Sequence, residues 1–246
     1  MYNIWISENS INKNNLCRVQ IQDAAETEII MQITIREPGS AITHFVGMMM
    51  AVFAAVPLLV KAGVTSGGRN FAAMTIFITS MILLYGASAA YHSVNLTGKA
   101  LRLFRKLDHM MIFVLIAGSY TPVCLIVLGG RIGYTMLALV WGIAIVGMTV
   151  KACWITCPKW FSSVIYIAMG WVCVLAFGQL FNTLSTAGFL WLLAGGIIYT
   201  IGGVIYALKL PIFNSRHRAF GSHEVFHLFV MAGSMCHFIF MYCFVA

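Results

Sequence analysis

The sequence predicts an all-α protein of the membrane, a bundle of seven transmembrane helices. Two observations carry that expectation. The 246 residues are 61% hydrophobic and only 9% charged, where soluble domains carry roughly 25% charged residues. The apolar residues also gather into uncharged runs of the length a helix needs to cross a bilayer, with no period-two alternation of the kind that marks barrel strands.

Taken in order, the runs place helices at 41–61, 71–93, 108–128, 132–151, 160–181, 187–208 and 223–245. The polar residues 1–40 form a tail ahead of the membrane domain at 41–246. Nothing in that tail combines a basic start, an apolar centre and a small-residue cleavage site, so the first helix is expected to act as its own insertion signal. Met31 offers a second start and residues 1–30 differ in composition from the rest, which makes 1–30 a dispensable segment by expectation.

Charge sets the expected orientation. The chain has 15 basic against 7 acidic residues, a net +8, and basic loops are retained on the cytoplasmic side. Lys13, Arg18 and Arg36 in the tail fall on one side. So do Lys99, Arg102, Arg105 and Lys106, then Lys151 and Lys159, then Lys209, Arg216 and Arg218. Lys61, Arg69 and Arg131 alone fall on the other. The N-terminus is expected inside and the C-terminus outside. The basic excess is thus a topology signal, and nucleic acid is not an expected partner.

Ionisable groups within a span cost about 2.5–3.5 kcal/mol each on insertion scales, so those retained are candidates for function. They are His44, His92, Asp108, His109, His223, Glu224, His227 and His237, with Ser88 and Tyr91 beside them. The expected topology brings the first helix near His44, the end of the second at His92, the start of the third at Asp108 and the start of the seventh at His223 to one level. That level is the cytoplasmic end of the bundle.

His223 and His227 are four apart, which stacks both imidazoles on one helix face about 6 Å apart in rise, a spacing that suits one metal ion. His92 offers a third nitrogen, and Ser88 lies one turn deeper on the same face. Three neutral imidazoles and an open position make a catalytic-type zinc site, where bound water titrates near about pH 7 and attacks as hydroxide. Asp108 is then the general base or water-orienting group and Ser88 its hydrogen-bonding companion. Asp108 is equally suited to a helix start on dipole grounds alone. His109 reads as structural. His237, about 15 Å deeper, lies outside that metal sphere and reads as an interhelical contact or a second site. His44 reads either as support behind the ligands or as a contact with the loop around Glu37.

Two further patterns have ordinary explanations. His223-Glu224-Val225-Phe226-His227 satisfies H-E-x-x-H, the zinc-protease signature, but a carboxylate in a first helical turn is favourable regardless of chemistry. Cys153 and Cys157 are two thiols without further ligands and read as incidental. Glycines 195, 196, 202 and 203, with Gly118 and Ser119, are small residues that let helices approach. The methionines 48–50, Trp160 and Tyr242 read as lipid-facing or interfacial anchors.

Five segments, in order, resemble one family: Glu37-Pro-Gly-Ser-Ala-Ile-Thr-His44; Tyr85-Gly-Ala with Ser88-x-x-x-His92; Leu107-Asp108-His109 with Ala117-Gly-Ser-Tyr-Thr-Pro122; Ala168-Met-Gly-Trp171; and His223-x-x-x-His227. The chain from about Met31 to Ala246 is similar to the hemolysin III branch of the progestin and adipoQ receptor family. The resemblance implies a seven-helix zinc protein of the bacterial plasma membrane, related to adiponectin receptors and alkaline ceramidases. It maps the three zinc histidines onto His92, His223 and His227, and the water-associated groups onto Asp108 and Ser88. It further implies hydrolysis of a lipid amide or ester, with membrane lipids as substrate or ligand. Glu224 departs from relatives with a neutral residue there. A receptor or sensor in which zinc only staples helices is the alternative. A pore-forming haemolysin lacks support, since no helix carries a polar stripe, and a retinal pump lacks a mid-helix lysine.

Overall fold

The computed structural model describes residues 35–65, 67–208 and 221–246. Seven helices are long and apolar enough to cross a membrane, each with a window of mean hydropathy of at least 1.7. The helices that form these spans are α1 (Pro38–Thr65), α2 (Gly67–Ser93), α3 (Gly98–Pro122), α4 (Gly130–Cys153), α5 (Lys159–Gly170, whose span runs on to Thr183), α6 (Thr186–Leu208) and α7 (Ser222–Phe240). No strand occurs among the described residues. The tail boundary expected at residue 40 falls two residues inside α1, whereas residues 1–30 lie outside the described part.

Local chemistry fixes the ends. Pro38 opens α1, where its missing N–H costs nothing. Gly129 and Gly130 at φ 56° and 50° make the tight corner between α3 and α4, backbone that other residues adopt reluctantly. α3 ends at Pro122, and its span continues as a π-turn, Val123–Leu128. α5 passes at Gly170 into a 3₁₀ segment, Trp171–Ala176, and a last α turn, Phe177–Thr183. Such breaks are tolerated in a membrane only where neighbours cover the freed backbone. Here the Tyr120 hydroxyl donates to the Gly170 carbonyl at 2.6 Å and accepts from the Cys173 amide at 2.8 Å.

α1 packs on α2, α2 on α3 and α3 on α4, while α5 packs on α6, α6 on α7, and α7 returns to α1. The centre belongs to α2 and α3, whose apolar windows are 50% and 61% buried against 17% for α5 and α6. Small residues permit the closest approaches. A Cβ on Gly118 would fall 2.2 Å from Ser80 Oγ of α2, and one on Gly195 would fall 2.2 Å from His237 Cδ2 of α7. Gly202 meets Phe229 and Gly203 meets Ile167, but Gly196 faces open space. Exposed apolar side chains such as Phe53, Val64, Trp160 and Leu175 clothe the outside, as a lipid-facing surface requires.

Candidate metal centre

His92 closes the second helix, and His223 and His227 share one face of the first two turns of α7. Their ligand atoms all lie within 4.8 Å of one another, and His92 and His227 are buried. His223 Nε2 is 3.2 Å from His92 Nε2. Two nitrogens bound tetrahedrally at about 2.0–2.1 Å from one ion would be about 3.3 Å apart. The spacing therefore fits a shared divalent cation.

Tautomers point the same way. His92 Nδ1–H donates to Glu37 Oε2 at 2.5 Å, so its Nε2 keeps a lone pair. Thr43 donates its hydroxyl proton to the Gly39 and Ser40 carbonyls, 3.0 Å from each. Its oxygen is thus left to accept from His227 Nδ1–H at 3.1 Å, which frees His227 Nε2. Outer hydrogen bonds of this kind orient metal-binding imidazoles and raise their basicity. A set of three neutral nitrogens suits zinc among divalent ions.

Glu37 and Thr43 are the partners that residue spacing missed. Both sit where the chain enters α1, and only the fold brings that entry against His92 and His227. The backbone is docked too: the Glu37 amide donates to the His92 carbonyl at 3.0 Å, and the Arg36 guanidinium lies 4.1 Å over the Tyr91 ring.

His44 supplies no nitrogen to the cluster. Its ring stacks on His227 with centroids 3.5 Å apart and 10° between planes, and its other side meets the Tyr85 edge at 5.1 Å. Of its two sequence readings, support behind the ligands matches this position, and no contact with Glu37 is found among the described residues. His237 packs on Gly195 and Tyr199 of α6, an interhelical contact away from the three ligands.

Asp108 is buried, and its Oδ2 is 3.4 Å from His109 Nδ1, which itself donates to the Arg105 carbonyl at 2.9 Å. Asp108, Ser88, His44, His223 and His227 all line one cavity of about 180 Å³. The Ser88 hydroxyl is buried beside the Asp108 carboxylate, which it faces in the cavity wall. The rest of the wall is mainly apolar and extends to Leu180 and Phe189, at the opposite end of the bundle by helix direction.

Glu224 faces elsewhere. It accepts from Ser40 Oγ at 2.5 Å and from the Gly221 amide at 2.8 Å. This is a helix-start arrangement, and it occupies the carboxylate that an H-E-x-x-H protease would aim at water.

The sequence profile described as haemolysin-III related matches residues 32–238. The chain is a member of the haemolysin-III family. Within it, this haemolysin-III protein is 37% identical over 203 residues to Hemolysin-3 of Bacillus cereus, covering 82% of this chain and 89% of the relative. It is 36% identical over 213 residues to the Hemolysin-3 homolog of Bacillus subtilis (strain 168), covering 85% and 96%. A more distant likeness, 26% over 229 residues, joins it to the adiponectin receptor protein of Drosophila melanogaster, covering 82% of this chain and 49% of that one. The haemolysin-III protein is accordingly a multi-pass integral membrane protein whose three-histidine cluster could hold a metal.

Proposed function

We propose that the protein is a zinc-dependent membrane hydrolase that cuts an amide or ester bond of a lipid. One observation carries this reading: His92 of α2 clusters with His223 and His227 of α7, and those two line the polar end of a mainly apolar cavity whose wall also bears Asp108 and Ser88. Zinc held there supplies Lewis acidity and brings the pKa of water to about 7.

The chain's own groups do the rest. Glu37 and Thr43 hold His92 and His227 with Nε2 directed at the shared point. The Asp108 carboxylate takes the proton of the attacking water and returns it to the leaving amine or alcohol. Ser88 Oγ–H, beside Asp108 in the wall, donates to the reacting carbonyl. The apolar wall toward Leu180 and Phe189 takes the acyl chain and excludes water from it. The excess of basic residues on one side supports a cytoplasmic position for this polar end, and the Bacillus relatives support the plasma membrane.

The test is a product assay. Zinc-loaded protein in nanodiscs is incubated with vesicles containing ceramide and phosphatidylglycerol, and free fatty acid is read by mass spectrometry beside a His223→Ala control. Fatty acid released by the wild type and absent with the control is expected; no product from a broad lipid extract at full zinc occupancy removes the hydrolase reading.

A second reading, a sensor in which zinc is structural, is favoured by one feature. The backbones of α2 and α7 stay largely apart, and the two helices meet through these histidines and the Tyr85 to Ser234 hydrogen bond of 2.7 Å. On that reading, chelation lowers the melting temperature and no lipid is cut.

A further inference from the structure

The corner between α4 and α5 holds a second cluster of reactive side chains, separate from the histidines. Lys151, in the last turn of α4, is 3% exposed. Its Nζ donates to Cys157 Sγ at 3.1 Å and to Ser162 Oγ at 2.5 Å, and those two acceptors are 3.3 Å apart. Among the described residues Lys151 meets no carboxylate. A buried ammonium without a compensating anion is strongly disfavoured, and the one acid within its hydrogen-bonding reach is the Cys157 thiol.

The surroundings agree. Arg105 of α3 adds a second positive charge at Cys157. Among the described residues, Tyr166 of α5 and Tyr206 of α6 are further titratable groups in electrostatic reach, while Lys159 is turned over the Tyr206 ring. Burial works to raise the Cys157 thiol, but the hydrogen bonds to Ser162 and Lys151 and the two positive charges outweigh it and hold its pKa below the ordinary value. Thiols in such electropositive settings are the nucleophilic ones. Cys157 is itself buried yet flanked by exposed Thr156 and Pro158 in a turn at the edge of the bundle. Cys153 is exposed and free.

We infer that Cys157 is the thiolate half of an ion pair with Lys151 and a site of modification by small electrophiles, a peroxide above all. In that step the sulfur attacks one peroxide oxygen, an S–O bond forms and the O–O bond breaks. Sulfur loses two electrons, and the departing oxygen leaves as hydroxide and takes a proton to become water. Cys157 becomes a sulfenic acid, and Lys151 loses the anion that offset it. The corner between α4 and α5 is thereby loosened beside Ser163, which lines the main cavity.

Alkylation profiles of the full-length protein in detergent test this. The iodoacetamide rate at each cysteine is read by peptide mass spectrometry from about pH 5 to 9, with the exposed Cys153 as internal reference. The Cys157 midpoint is expected below that of Cys153. Lys151→Arg keeps it low, and Lys151→Met brings it level with Cys153 or above. Peroxide followed by dimedone labels Cys157, and Lys151→Met cuts the label about tenfold. Lys151→Met can unfold the corner, so the wild type and Lys151→Arg decide without it. A Cys157 that titrates with Cys153 or higher, or that stays unreactive in the folded wild type, overturns the inference. None of these readouts depends on zinc or lipid turnover.

Discussion

Glu37 and His92 are joined twice, through the Glu37 amide to the His92 carbonyl at 3.0 Å and through Glu37 Oε2 to His92 Nδ1 at 2.5 Å. One residue thus both docks the entry of α1 on the end of α2 and selects the His92 tautomer. Outer hydrogen bonds of this kind typically change metal affinity about 10–100-fold. Glu37→Ala is therefore expected to weaken zinc binding by about that factor, while Glu37→Gln, which keeps a carbonyl acceptor, recovers part of the loss. Competition with a chelator of known affinity measures both. Equal affinity in all three proteins would mean that the contact plays no part in metal binding.

Asp108 lines the cavity with the histidines but is not one of the three clustered ligands. A proton carrier in that place is needed for turnover and not for metal retention. Asp108→Asn is expected to lower the rate by about 10²–10⁴-fold with zinc content near wild type by elemental analysis. Loss of zinc together with activity would instead make Asp108 part of the metal's support.

Glu224 separates this site from an H-E-x-x-H protease. Its carboxylate is taken up by Ser40 and Gly221, so its contribution is to the start of α7. Glu224→Gln is expected to leave turnover within about threefold of wild type and to cost about 0.3–1 kcal/mol of stability, the usual worth of a charge at a helix terminus. A drop as deep as that of Asp108→Asn would return Glu224 to the chemistry.

The sequence located the seven spans to within a few residues, except that α3 begins at Gly98 rather than near Asp108. Arg102, Arg105 and Lys106 interrupt the apolar run there, yet a helix can carry charges on the turns that precede its membrane segment, and hydropathy alone does not register that. The three histidines were legible because spacing and depth are properties of single helices. Glu37 and Thr43 were not, because hydrogen-bond partners depend on how the chain enters α1. The one local signal was their closeness in sequence to His44. Lys151 read only as a marker of topology and Cys157 as incidental, since their meeting depends on how tightly the chain turns between α4 and α5.

Adjacent glycines of α6 give the sharpest test of what fills the cavity. Gly195 is buried against α7, where a Cβ would fall 2.2 Å from His237 Cδ2, whereas a Cβ on Gly196 meets nothing within 4 Å although Gly196 lines the cavity. Gly195→Leu overpacks a helix contact and is expected to cost about 1–3 kcal/mol, read as a lower melting temperature. Gly196→Leu enters open space and gains helix propensity of up to about 1 kcal/mol, so its melting temperature and zinc content should hold or rise. Its side chain takes volume from the space assigned to the acyl chain. Cleavage of long-chain lipid is therefore expected to fall about tenfold or more, with short-chain analogues spared, since a methylene-sized misfit in an apolar pocket is worth about 1–3 kcal/mol. Unchanged cleavage of long chains by Gly196→Leu would place the acyl chain outside this cavity, and the catalytic reading would then have to find its substrate's path along the outer, lipid-facing surface of the bundle.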